Sequence, residues 1–260
     1  MPRSSSDILV SGSSSGLGKY LRENLRAYGL DRDNAPAELR RLRRRGADTV
    51  IHCAFNRSRE VTSETLSAYL QDNLFLTQQL LQVPHRKFVY ISSVDVYPHA
   101  RRIHREDEVI DIEQVCGMYA RLKLMSEALV RSAGGNFLIL RPVAMLGEYA
   151  RENSLIKIIK GTSPTLTLSR DSRFNYILYS DLLAFLRKAL EQDARGIYNL
   201  ASATSVRLGD IVRLFRRRIE FGSFCYDSGR VATEKCLSIH KGFKKTSLAV
   251  IKEFARSIHV

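Results

Sequence analysis

Acidic residues are the scarce class in this chain: 27 Asp and Glu stand against 41 Lys and Arg in 260 residues, a formal charge of +14. Such a deficit leaves polyanions or an anionic small molecule as the partners to weigh. Cysteine is sparse as well. Cys53, Cys116, Cys225 and Cys236 form no CxxC pair and show no metal-ligand spacing, so no metal is expected and free thiols suit a reducing compartment. No apolar run approaches the ~18 residues of a membrane span, and "MPRSSSDILV" lacks the apolar core of a signal peptide. A cytoplasmic location away from the membrane is the expectation. Low-complexity linkers and internal repeats are missing too.

What is present reads as an ordinary core: 44% of residues are apolar. The basic runs are "LRRLRRRG" (39–46), "ARRIHRE" (100–106) and "FRRRIE" (215–220). The first and third carry Leu39, Leu42, Leu214 and Phe215 at helical spacing, so their arginines read as solvated faces of amphipathic helices, and no nucleic-acid partner is expected. Candidate strands are "DILVSG" (7–12), "TVIHCA" (49–54), "KFVYISS" (87–93) and "NFLILRP" (136–142). Their nearly continuous apolar character is that of strands buried on both faces of a parallel sheet. Helical patterns lie between them at 17–28, 37–45, 62–82 and 117–133. This alternation predicts an α/β fold, a Rossmann-like doubly wound parallel sheet. A doubly wound domain is expected over 1–142 and a smaller α/β lobe over 143–260, with the strand and helix around 174–200 expected to return to the first domain.

In "ILVSGSSSGLGKYL" (8–21), Gly12 closes the first strand and Gly18 sits in the first turn of a helix. Glycines there let the chain turn sharply and let a phosphate approach bare N–H groups at a helix N-terminus. Ser13, Ser14 and Ser15 add hydroxyl donors. Downstream, "SSVDVY" (92–97) follows the third candidate strand and "YARLK" (119–123) opens a long helix. Tyr119 and Lys123, four apart, share a helix face. An ammonium near a phenol favours its phenolate, and the hydroxyl of Ser93 can hold a substrate oxygen beside it.

These motifs together resemble the extended short-chain dehydrogenases/reductases, the NAD-dependent epimerase/dehydratase family. The resemblance runs through "SGSSSGLG" (11–18), "VIHCA" (50–54), "QDN" (71–73), "YISSVDVY" (90–97), "YARLK" (119–123), "LRP" (140–142), "FNYILYSDLLAFL" (174–186) and "GIYNLA" (196–201). It implies a diphosphate loop of Gly12, Ser14, Ser15, Gly16, Leu17 and Gly18, with Cys53 and Ala54 along the cofactor's ribose. It further implies Tyr119 as general acid/base, Lys123 on the nicotinamide ribose, Ser93 rather than Ser92 as the catalytic hydroxyl, and Asn73 as a helix position bracing the strands. Arg173 is a candidate diphosphate clamp for substrate. His52 reads as a satisfied core histidine, Arg141 as a structural hydrogen-bonder and Asp95 as a solvated turn carboxylate.

Two departures from the family pattern matter. The space that normally holds two strands contains only "AYGLDRDNAPAELRRLRRRGAD". In it "GLDRD" serves either as the second strand, with Asp31 near the adenosine ribose, or as the third, with Asp31 or Asp33 near adenine. Asp31 favours a free 2′-hydroxyl and Arg32 a 2′-phosphate, so the cofactor is NAD or NADP. The acidic pair that dehydratases carry after the catalytic hydroxyl is Val94 and Asp95 here, which disfavours elimination. The expectation is reduction of a keto group on a nucleotide-linked deoxysugar, similar to 4-dehydrorhamnose reduction. An epimerase and a non-catalytic dinucleotide-sensing module are the alternatives. A homodimer is what the resemblance implies for assembly.

Overall fold

A computed structural model describes residues 7–58, 60–99, 102–227 and 229–259. Residues 1–6, and Ala100 and Arg101 of the second basic run, therefore lie outside the description. The chain opens with β1 (Ile8–Ser11), α1 (Gly16–Leu25), β2 (Tyr28–Leu30), α2 (Ala35–Arg45) and β3 (Ala47–His52). It continues through α3 (Ser63–Leu70), a π-helical stretch (Gln71–Phe75), α4 (Leu76–Leu81) and β4 (His85–Ile91). Next come β5 (Ile103–His104), α5 (Gly117–Ser132), β6 (Phe137–Pro142), β7 (Ala144–Leu146), α6 (Ser154–Lys160) and β8 (Thr165–Leu168). Then follow β9 (Arg173–Phe174), β10 (Tyr176–Leu178), α7 (Tyr179–Glu191), β11 (Gly196–Leu200), β12 (Val206–Arg207) and α8 (Leu208–Leu214). The chain closes with β13 (Glu220–Phe224), β14 (Arg230–Val231), α9 (Glu234–Ile239) and α10 (Ser247–Ser257).

Six strands form the main sheet in the order β11-β6-β4-β3-β1-β2. The pairings β1–β2, β1–β3, β3–β4 and β4–β6 are all parallel. Val10, Ile51, Val89 and Leu140 on one side, and Leu9, Val50, Phe88 and Ile139 on the other, are all but inaccessible to solvent. Burial on both faces explains the unbroken apolar runs, each such side chain contributing about 2 kcal/mol. The short strand β2 settles which strand "GLDRD" supplies. Its register sets Leu30 beside Ser11, so it is the second strand, and among the described residues no strand pairs beyond it.

The chain divides into two compact units, 1–98, 109–141 and 193–198 in one, and 99–108, 142–192 and 199–260 in the other. In the first, Leu39 and Leu42 anchor α2 in a cluster with Leu9, Leu30, Val50 and Phe88. The arginines of α2 stay exposed, as its amphipathic pattern predicts. In the second, Leu155, Ile158 and Ile159 of α6 pack with Ile211 of α8 and Ile251 of α10.

The third basic run departs from expectation. The helix stops at Leu214, Arg216 takes a left-handed conformation (φ +50), and a strand begins at Glu220. Arg217 then donates to the carbonyls of Ile158 and Ile159 at 3.2 and 2.6 Å, satisfying the end of α6. No helix among the described residues is long and apolar enough to cross a membrane.

Candidate active site

The turn after β1 is built from close approach. Gly12 has φ +71, and a Cβ there would lie 2.8 Å from the Ala54 backbone. A Cβ on Gly18 would lie 2.1 Å from the Gly12 carbonyl oxygen, so only glycine lets α1 seat on the strand turn. Gly16 opens α1 with φ +56, Leu17 is buried beneath it, and Ser14 and Ser15 are exposed. The N-cap Ser15 makes no side-chain capping bond, and no acidic residue occupies the first turn of α1. The helix end therefore keeps its partial positive charge, and this cradle fits a diphosphate.

Asp31 follows β2 directly. Its carboxylate accepts from the Asn34 N–H at 3.2 Å, while Arg32 donates to Asp72 at 2.7 Å. The guanidinium is thus already matched by a carboxylate.

The end of β3 is held by a chain of buried hydrogen bonds. Ser11 Oγ lies 2.7 Å from His52 Nδ1, His52 Nε2 lies 2.9 Å from Thr77 Oγ1, and Thr77 donates to the Asn73 carbonyl at 2.8 Å. With Thr77 donating onward, His52 donates from Nε2 and accepts at Nδ1. Burial, with the Lys123 charge adding to it, lowers the His52 pKa to about 3. His52 is a satisfied core residue. Cys53 follows it, its thiol pushed up to about 12 by burial.

Past Ala54 the loop turns on Asn56. Asn73, buried in the π-helical stretch, accepts from the Asn56 N–H at 2.6 Å and donates to the Asn56 carbonyl at 3.1 Å. The extra residue of a π turn presents that amide to the loop. The patterned helix over 62–82 gives no hint of it.

The next strand end and α5 bring the phenol, amine and hydroxyls into one region. Ser93 Oγ donates to Asp95 Oδ2 at 3.0 Å and accepts from the Asp95 N–H at 3.2 Å. Asp95 is half-buried and tied to Ser93, not a freely solvated carboxylate, because the turn after β4 folds it back. Ser92 faces the other way and donates to Glu127 in the interior. Tyr119 is half-buried, and Ser93 is among the groups that act on its phenol. Burial pushes its phenol above the ordinary value; the Arg57 guanidinium and the Ser93 hydroxyl pull it back, and Asp95 adds to the rise.

Lys123 is only 3% exposed, and its Nζ donates to the Ile91 carbonyl at 2.6 Å. The ammonium also lies 4.3 Å from the Phe55 ring centroid and 4.9 Å from that of Tyr90. Burial brings the Lys123 pKa down to about 7, with Arg57 pushing the same way and Glu127 opposing. One turn on, Glu127 forms a buried ion pair with Arg141 at 2.6 Å, and Arg141 donates to the Tyr97 hydroxyl at 2.7 Å.

Phe55, Arg57 and Glu127 were not among the residues singled out in the sequence. Phe55 meets the Tyr119 ring edge-on at 5.0 Å, and the Arg57 guanidinium lies over that ring at 5.5 Å. Phe55 and Arg57 directly follow "VIHCA", so their nearness to a strand end was the available signal. Glu127, four residues past Lys123, shares its helix face. Arg173 belongs to the second unit, where it lines a depression of about 700 Å³ with Arg207 and Arg213. Among the described residues no cluster of His, Cys, Asp or Glu could hold a metal ion.

A glycine turn, a parallel sheet and a Tyr-x-x-x-Lys helix mark a class of dinucleotide-dependent enzymes. The NAD dependent epimerase/dehydratase family model matches residues 8–201, and the chain belongs to that family. No curated protein matches the sequence. Among solved structures, MoeE5 in complex with UDP-glucose and NAD is 19% identical with a TM-score of 0.79, covering 97% of this chain and 99% of that one. UDP-glucuronic acid 4-epimerase from Bacillus cereus in complex with NAD is 17% identical at a TM-score of 0.79, with the same coverage. The dTDP-4-dehydrorhamnose reductase of Yersinia enterocolitica is 18% identical at 0.78, again over 97% and 99% of the two chains. At these identities the likeness is one of fold.

Proposed function

We propose that this chain is an NAD-dependent oxidoreductase that reduces a keto group on a nucleotide-linked deoxysugar. The observation that carries the reading is the meeting of Ser93 with Tyr119, and of Lys123 with the β4 strand end, in the unit that also holds the glycine turn. In this reading Tyr119 gives its proton to the substrate oxygen as the carbonyl becomes an alcohol, and Ser93 steadies that oxygen. Lys123 holds the ribose and supplies positive charge. When bound, the nicotinamide supplies the hydride.

The residues present fit a dinucleotide. Gly12, Ser14, Ser15, Gly16, Leu17 and Gly18 would hold the diphosphate, with Cys53, Ala54 and Asn73 bordering the ribose. Asp31, at the end of the second strand, would bind a 2′-hydroxyl. Because Arg32 is engaged by Asp72, it is less free to meet a 2′-phosphate, and NAD is preferred over NADP. Arg173 would meet the substrate diphosphate, as a guanidinium suits that geometry.

The test is parallel titration with NAD and NADP, followed by turnover on nucleotide-linked ketosugars. NAD is expected to bind more tightly. Tyr119→Phe is expected to keep that affinity and lose turnover by about 10²–10⁴-fold; an unaltered rate removes Tyr119 from its role. An epimerase is the second reading, favoured by the UDP-sugar epimerases among the structural neighbours. Turnover without net consumption of NAD identifies it.

A further inference from the structure

We propose that Arg57 is a positioning residue for Tyr119, its guanidinium holding the phenol ring in place and supporting its anionic form. The inference rests on the reading of Tyr119 as the acid/base group. Its starting point is the direction of Lys123. That ammonium donates to the Ile91 carbonyl and lies against the rings of Phe55 and Tyr90. Among the described residues no hydrogen bond joins it to Tyr119. The guanidinium of Arg57 instead lies over the Tyr119 ring, 5.5 Å from its centroid, while Phe55 closes the edge at 5.0 Å. A cation on the face of a phenol is attracted by the ring and more so by the phenolate.

Arg57 also differs from other arginines of the chain in pairing. Arg32 is matched by Asp72, Arg86 by Asp48 and Asp193, and Arg141 by Glu127. Among the described residues no carboxylate pairs with Arg57, so its charge is left to act on the ring. The loop bearing it is anchored one residue earlier. The Asn56 backbone is held at both polar atoms by Asn73, its side chain donates to Asp72 at 2.9 Å, and the Ser58 N–H donates to its Oδ1 at 3.0 Å. Asn73 thereby fixes where the guanidinium starts.

The groups facing the phenol come from four elements. Asp95 after β4 opposes its ionisation and so does Tyr69 of α3, while Ser93 and Arg57 favour it; Lys123 lies one turn along α5 itself. Arg57 is the cation in this set with open access to the ring.

The experiment is an ultraviolet tyrosinate titration of the whole protein, with Tyr119 isolated by subtracting the Tyr119→Phe curve. It is repeated on Arg57→Gln and Arg57→Lys, each with its own Tyr119→Phe reference. At a fixed pH below alkaline unfolding, Arg57→Gln is expected to cut the ionised fraction of Tyr119 about threefold, a midpoint shift of about half a unit. Arg57→Lys is expected to retain most of it, and added salt to move the parent curve towards the Gln curve. Identical midpoints in the parent and Arg57→Gln overturn the proposal. The exposed side chain makes misfolding no obstacle, and the salt series reads the same coupling without any Arg57 substitution. Because no substrate is used, a shifted midpoint with no turnover on any ketosugar sinks the proposed reaction and leaves the coupling standing. Turnover with an unmoved midpoint does the reverse.

Discussion

His52 shows how a single ring ties the site to the stability of the sheet. Neutral and buried in the native state with a pKa lowered to about 3, it gains a proton near 6.5 once unfolded. The sign follows: the contribution is complete above pH 6.5 and drains away as pH falls towards 3, since the unfolded chain binds the extra proton. His52→Asn is expected to melt lower at neutral pH yet show a shallower decline between pH 6.5 and 4. Parallel melting curves against pH would exclude that role. At this scale much was legible. Tyr119, Lys123 and Ser93 stand out by spacing, and His52 by its place in an apolar strand. Arg57 and Asp95 were not, because their roles depend on how a loop and a turn fold back, and neither leaves a periodic trace.

At the scale of elements, the tight contact between α1 and the first strand turn carries a firm expectation. Gly18→Ala would thrust a methyl to within 2.1 Å of a backbone oxygen that no rotamer can move aside. The helix must shift, at a cost of about 3 kcal/mol, and NAD binding is expected to fall with it. Gly117→Ala is the contrast: unlike Gly18, that residue has a positive φ (+79), but open space surrounds it, so only backbone strain of about 1 kcal/mol applies. Thermal melts of the two variants, read beside NAD titrations, check the difference; equal losses would refute the packing argument. Strand and helix positions were readable here from apolar runs and 3.6-residue periodicity. The neighbour of "GLDRD" was not, since three extended residues do not specify which strand they pair with. The π turn at Gln71–Phe75 escaped for a related reason, as one added residue leaves the helical pattern nearly intact.

For the whole molecule, the end of the sheet opposite the strand end that bears Ser93 is secured by charge. Lys87 is fully buried, and its ammonium reaches Asp193 at 3.0 Å and Asn136 at 2.8 Å, with Arg86 and Arg195 on the same carboxylate. Those bonds hold the Asp193 carboxyl well below its usual range. Removing Asp193 strands a buried cation, whereas removing Lys87 strands only an exposed carboxylate that keeps two arginines. Asp193→Ala is therefore expected to lower the melting temperature more than Lys87→Met, and the opposite order in a thermal melt would disprove the assignment. The sheet's outer strand β2 has its own consequence. It is three residues long, Arg41 of α2 stacks on its Tyr28 at 4.7 Å, and Arg40, Arg44 and Arg45 crowd the same helix. A second copy arriving to extend the ladder would find almost no template and a wall of like charge. The lost strand thus leaves behind a margin guarded against fibrillar growth.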